Sequence, residues 1–109
     1  MPDSAGILTR VREAAKVKVL FLPHAVSQMS RPDRMITPDE VRRVLSDGEL
    51  VEDYPEDRRG HSCLLSGRGE DGRAVHVVCA PKDEFLAVIT AYLPSPEAWQ
   101  DNFTARRQR

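Results

Sequence analysis

The sequence predicts an α+β fold in which N-terminal helices pack on a four-stranded antiparallel β-sheet meander. Two observations carry this prediction. Apolar residues recur at helical spacing through the first half of the chain, up to Gly48. From Glu49 to Leu93 the apolar spacing changes to two, and short polar connections separate the runs. Helices followed by consecutive strands are typical of the α+β class.

Length and composition indicate one small globular domain. The 109 residues are expected to form a core over about residues 5–100, followed by a flexible basic tail. Apolar residues make up 40% and charged residues 30%, which argues against a disordered chain. No apolar run approaches the roughly 18 residues of a membrane span, and the N-terminus lacks a secretory pattern. We therefore expect a cytoplasmic protein without a membrane partner.

The helical half contains three segments. Residues 7–16 place Ile7, Val11 and Ala14 at helical spacing, and residues 24–30 predict one or two further turns. Between them, residues 17–22 form a short apolar run with an extended tendency that stops at a proline.

The third helix has the strongest local signal in the chain. Thr37 is a good N-cap, Pro38 suits the first helical position, and Asp39 and Glu40 follow in the first turn. An apolar stripe continues to Leu45, and Gly48 is expected to end the helix.

Four strands are predicted over residues 50–54, 62–66, 73–80 and 85–93. A three-residue turn at 70–72 places Cys63 opposite Cys79 in the central hairpin. Alternation then puts Val77 on the helix-packed face and His76 on the opposite face. The facing cysteines allow a cross-strand disulfide, but a reducing compartment favours two buried apolar thiols.

The candidate chemical groups are few. His76 and His24 have the side chain best suited to acid–base catalysis near neutral pH, although a hydrogen-bonded structural role fits each as well. A tyrosine on a strand has three alternative roles: it can stack on a nucleic-acid base, act as an acid, or pack against its neighbours. Clustered arginines form either solvated faces or an anion-binding patch. The spacing of histidines and cysteines does not fit a zinc site, and no cofactor motif is present, so neither metal nor cofactor is expected.

The order of several short motifs resembles one known family. The motifs are His24-Ala25 with Met29, then residues 36–45, residues 48–55, residues 62–67, Val75-His76-Val77-Val78, and Ile89-Thr90-Ala91-Tyr92 with Pro94. Together they resemble the domain of unknown function 4258 family over roughly residues 17–99. The resemblance implies a fold similar to the RelE, ParE and BrnT toxins, within the wider group of barnase-like and colicin-like ribonucleases.

The function implied by this resemblance is that of a toxin of a toxin–antitoxin pair, acting as a metal-independent endoribonuclease on RNA. Expected partners are RNA, a small antitoxin-like protein and a second copy in a homodimer. Carried over by position, the implied catalytic residues are His76, His24, Arg34 and Tyr92. The implied substrate-binding residues are Arg31, Tyr54, Thr90 and Gln28.

One position departs from the family pattern. An arginine usually stands where this chain has Gln28, so Arg31 or Arg34 must supply the cation that a phosphate site needs. The alternative function is a non-catalytic interaction module that binds a protein partner or nucleic acid. Gln28, the net charge of −1 and the 6% aromatic content favour this alternative.

Overall fold

The computed structural model of the protein describes residues 3–100 and 103–106. Three helices and five strands form the α+β arrangement that the sequence predicts. In chain order they are α1 (Asp3–Val17), β1 (Val19–Phe21), α2 (Pro23–Met29), α3 (Pro38–Asp47), β2 (Glu49–Tyr54), β3 (Ser62–Arg68), β4 (Ala74–Pro81) and β5 (Leu86–Tyr92). A short 3₁₀ turn, Glu70–Gly72, joins β3 to β4.

The predicted four-stranded antiparallel sheet is wrong in strand number and in strand direction. The sheet has five strands in the order β1-β5-β4-β3-β2, and β1 runs parallel to β5. Strand β1 comes from the short apolar run before α2, and Val19 pairs with Leu86 far along the chain. The extended tendency expected of this run is confirmed. Its parallel pairing has no local signal, because the partner strand is distant in sequence and the pairing depends on the rest of the sheet being in place.

The central hairpin has the predicted register. Cys63 lies opposite Cys79 and Ser66 opposite His76. Both cysteines are reduced and buried on the face that packs on the helices, together with Leu65 and Val77. The predicted division of the hairpin into two faces is therefore confirmed, with His76 on the outer face.

Helix α3 forms as its sequence predicts and ties the helical layer to the sheet. The Thr37 hydroxyl accepts from the Glu40 backbone N–H at 3.1 Å, and a Glu40 carboxylate oxygen accepts from the Thr37 N–H at 3.0 Å. The other oxygen of Glu40 accepts from the N–H of Glu70 and from Arg73, beside the β3–β4 turn. This buried carboxylate fixes the start of α3 against the hairpin.

The chain after β5 crosses the outer face of the sheet, and residues 103–106 of the segment predicted as a tail contact that face. Trp99 is 3% exposed and forms an isolated β-bridge with Arg106. We call residues 94–100 and 103–106 the C-terminal cover. Residues 107–109 of the predicted tail lie outside the described residues.

Candidate functional site on the outer face of the sheet

A histidine and a tyrosine form the centre of the candidate site. His76 on β4 and Tyr92 on β5 are directly opposed in the antiparallel ladder, so both side chains project from the outer face. The Tyr92 hydroxyl lies 3.3 Å from His76 Nδ1, and the two ring centroids are 5.3 Å apart in an edge-on arrangement. The structure thus brings together two of the predicted catalytic residues.

A second polar group lies on the same face and includes Tyr54, which the resemblance implies as a substrate-binding residue. The Tyr54 hydroxyl donates a short hydrogen bond to Glu52, two residues before it on β2. Arg106 of the C-terminal cover binds both carboxylate oxygens of Glu52, with Nε at 2.7 Å and Nη2 at 3.1 Å. The hydrogen bond from Arg106 is the main cause that lowers the pKa of Glu52. Burial is the main cause that raises the pKa of Tyr54, and its hydrogen bond to Glu52 raises that pKa further.

The C-terminal cover encloses the histidine. Trp99 packs edge-on against His76, with ring centroids 4.5 Å apart, and the Arg106 guanidinium lies 4.5 Å over the Trp99 ring. The backbone carbonyl of Phe103 accepts a hydrogen bond from His76 Nε2 at 2.8 Å. As a result the His76 side chain has no solvent exposure.

These contacts define the protonation of His76. A carbonyl oxygen accepts only, so Nε2 must carry the hydrogen, and Nδ1 of the neutral ring then accepts from the Tyr92 hydroxyl. Burial lowers the pKa of His76, and the Phe103 carbonyl partly opposes this effect. Burial also raises the pKa of Tyr92, which keeps its hydroxyl protonated. At neutral pH the pair is therefore a tyrosine hydroxyl donating to an uncharged imidazole.

The predicted residues of the helical half lie in the other layer of the molecule. Ala25 and Met29 of α2 belong to the core on the inner face of the sheet, while His24 is exposed. In the part of the chain that the structure describes, no hydrogen bond, ion pair or ring contact joins His24 to His76. The acid–base pair suggested by the resemblance is not assembled.

The remaining predicted residues are divided between the two layers. Gln28 is half-buried on α2, and Arg31 is exposed with its guanidinium 3.4 Å from Asp33. Arg34 also approaches Asp33, at 4.0 Å, and its Nε is buried without a hydrogen-bond acceptor. Thr90 is on the outer face, half-buried and opposite Val78. The outer face thus contains His76, Tyr92, Tyr54 and Thr90, whereas the arginine candidates lie elsewhere.

Three residues of the site were not predicted from the sequence. Glu52 has a detectable signal, because residues two apart on a strand share a face and Tyr54 was already a candidate. The sequence contains no comparable signal for Trp99 and Arg106, because their role depends on how the chain folds back after β5.

Within residues 3–100 and 103–106, no three His, Cys, Asp or Glu side chains are grouped so that they could share a metal ion. Over the same residues, no helix combines the length and the apolar character needed to cross a bilayer.

The fold and site define a small α+β protein with a histidine–tyrosine pair on the outer face of a mixed five-stranded sheet. Residues 21–93 match the model of the family described as domain of unknown function (DUF4258), and the chain belongs to that family. A search of curated proteins found no match, and a search of solved structures found none either.

Proposed function

We propose that the outer face of the sheet binds RNA and cleaves it by metal-independent acid–base chemistry, in the manner of a toxin of a toxin–antitoxin pair. The observation that carries the proposal is the Tyr92–His76 hydrogen bond beside the Glu52–Arg106 pair. These residues supply a base and a cation, the two requirements of phosphodiester transfer to a 2′-hydroxyl. The family resemblance, which implies a fold similar to the RelE, ParE and BrnT toxins, supports the same class.

The His76–Tyr92 pair serves as base and then as acid. Tyr92 is half-buried whereas His76 is fully buried, so the tyrosine is the member of the pair that a substrate reaches first. The 2′-hydroxyl gives its proton to the Tyr92 oxygen while the tyrosine proton moves to Nδ1 of neutral His76. The 2′-oxygen bonds to phosphorus, the bond to the 5′-oxygen breaks, and the proton returns from His76 through Tyr92 to that leaving oxygen. The products are a 2′,3′-cyclic phosphate and a 5′-hydroxyl.

Arg106 supplies the cation in place of the arginine missing at Gln28. Its guanidinium binds a carboxylate with two N–H groups, and the same fork fits two oxygens of a phosphate. Because Glu52 occupies that fork, an incoming phosphate must exchange with the carboxylate. The C-terminal cover must shift at the same time, because Trp99 and Phe103 enclose His76.

The enclosure of His76 by the C-terminal cover also supports a second candidate function. Both ring nitrogens of His76 have protein partners and the ring is inaccessible to solvent. A buried histidine with both ring nitrogens hydrogen-bonded also fits a non-catalytic interaction module. In that module His76 would hold the C-terminal cover on the sheet through its hydrogen bonds. The two functions differ in whether Tyr92 and His76 are needed for turnover.

The deciding experiment is cleavage of a labelled single-stranded RNA by the purified protein, with and without a metal chelator. We expect chelator-resistant cleavage with 2′,3′-cyclic phosphate ends. Tyr92→Phe removes the hydroxyl, keeps the ring, and should lower the rate at least a hundredfold, within the range of general acid–base catalysis. His24→Ala is the matched control, because it removes an exposed histidine from the other layer. Absence of cleavage would leave the interaction module as the function. An equal loss in His24→Ala would contradict the assignment of the chemistry to the His76–Tyr92 pair.

A further inference from the structure

A positively lined groove lies between helices α1 and α3, on the side of the molecule opposite the His76–Tyr92 pair. It encloses a cavity of about 320 Å³. Its lining comes from α1, from α3 and from β1 at its base. The lining residues are Arg12, Ala15, Lys16, Val19, Arg42, Leu45 and Ser46. We call this the α1–α3 groove.

The charge of the groove is not balanced within the protein. Three of its lining residues are cationic and none is acidic. Among the described residues, Arg12, Lys16 and Arg42 make no ion pair with a carboxylate, whereas Arg73 and Arg106 do. Cations that line one cavity without a carboxylate partner favour the binding of an anionic ligand there.

Two of the three cations are held in position. Arg12 donates from Nε to the Leu45 carbonyl at 3.4 Å and from Nη2 to the Gly48 carbonyl at 2.9 Å. The Arg42 guanidinium lies over the Phe21 ring, 5.6 Å from its centroid. Side chains that are already ordered lose less conformational entropy when a ligand binds.

The base of the groove is aliphatic. Ala15, Val19 and Leu45 provide its apolar lining, and no aromatic ring is among the lining residues. Single-stranded nucleic acid binds proteins by stacking its bases on aromatic rings, and the nearby Phe21 ring is covered by Arg42. Cations around an aliphatic base instead match a peptide that carries carboxylates beside an apolar side chain.

We propose that the α1–α3 groove binds an acidic segment of a partner protein, with carboxylates on Arg12, Lys16 and Arg42 and an aliphatic side chain between the helices. The groove and the outer face of the sheet are on opposite layers, so this inference does not depend on RNA cleavage. A partner bound here does not contact the His76–Tyr92 pair.

The test uses a fluorescein-labelled peptide in which leucines are separated by pairs of glutamates. A second peptide has lysine in place of every glutamate. We expect the acidic peptide to bind and the lysine peptide not to bind. Lys16→Glu combined with Arg42→Glu reverses two exposed cations of the groove and should weaken binding at least about tenfold.

Arg43→Glu is the matched control. This residue neighbours Arg42 on α3, is also exposed and does not line the groove, so the same charge change should leave binding nearly unaltered. Backbone amide NMR shifts on peptide addition should centre on Val19 and Leu45. Equal binding of both peptides, an equal loss in Arg43→Glu, or displacement of the acidic peptide by single-stranded RNA would overturn the proposal. Should the double variant unfold, Lys16→Glu alone carries the same comparison.

Discussion

Trp99 lies edge-on against His76, with ring centroids 4.5 Å apart, although the two residues belong to different segments of the chain. This contact closes the candidate site. The indole contributes to the burial of the imidazole, and burial is the main cause of the lowered His76 pKa. The C-terminal cover is therefore part of the chemistry of the outer face, whichever function that face performs.

Removing the indole should open the site. Trp99→Ala is expected to lower the free energy of unfolding by about 3–5 kcal/mol, the usual loss for truncating a buried tryptophan. It should also make His76 reactive toward diethyl pyrocarbonate, measured for each histidine by mass spectrometry. Exposed His24 is the internal control and should react equally in both proteins. If His76 of the unaltered protein reacts as fast as His24, the cover does not protect it.

The buried imidazole should make stability depend on pH. A histidine whose pKa is lowered in the folded state binds fewer protons there than in the unfolded chain. The protein is therefore expected to lose stability as the pH falls through the unfolded value of about 6.5. At pH 5.5 the loss cannot exceed about 1.4 kcal/mol, the limit for a group that stays neutral when folded.

Urea unfolding at pH 7.5 and 5.5 measures this effect, and His76→Gln should reduce the difference between the two pH values. Tyr92, Glu52 and Arg106 surround the imidazole, but burial outweighs their charges as the cause of the shift. His24→Gln serves as the comparison and should retain the full difference. The same pH dependence in His76→Gln would show that another group is responsible.

The two cysteines should behave as inert core residues. Cys63 and Cys79 face each other on adjacent strands, and their mutual hydrogen bond, followed by burial, raises the pKa of the Cys79 thiol. We expect neither thiol to react with a disulfide reagent in the folded protein and both to react in denaturant. Ser46→Cys, which adds an exposed thiol on α3, is the reactive control. Rapid native-state labelling of Cys79 would contradict this assignment.

The features that could be predicted from the sequence are those with a local physical cause. Period-two alternation and a short turn are sufficient to place Cys63 opposite Cys79 and His76 on the outer face. The start of α3 follows from Thr37 and Glu40, which bond each other across one turn.

The features that could not be predicted are those with distant partners. Arg106 binds Glu52 across 54 residues, and the basic, polar end of the chain has the composition of a flexible tail. The pairing of strand β1 has the same cause, because its partner, β5, lies far along the chain. The outer-face site was therefore predicted only in part: His76, Tyr92 and Tyr54 were predicted, while Glu52 on β2 and the residues of the C-terminal cover were not.

The buried Glu40–Arg73 pair should account for much of the stability that the fold loses in acid. Arg73 donates to both Glu40 oxygens, at 2.9 and 2.8 Å, and this bond is the main cause that lowers the pKa of Glu40 to about 2. A carboxyl group with a lowered folded pKa stabilises the protein above its unfolded value of about 4.5, and the stabilisation fades as the pH falls toward 2. The difference corresponds to about 3 kcal/mol.

Glu40→Gln should therefore lower the free energy of unfolding by about 3 kcal/mol at pH 7, as measured by urea titration, because Arg73 loses its carboxylate. The deficit should shrink as the pH approaches 2, where Glu40 of the unaltered protein becomes protonated as well. Asp39→Asn is the matched control, because it removes an exposed carboxylate from the same helical turn and should lose no more than about 1 kcal/mol. A deficit in Glu40→Gln that is equally large at pH 7 and pH 2 would mean that packing, rather than the charge of Glu40, makes the difference.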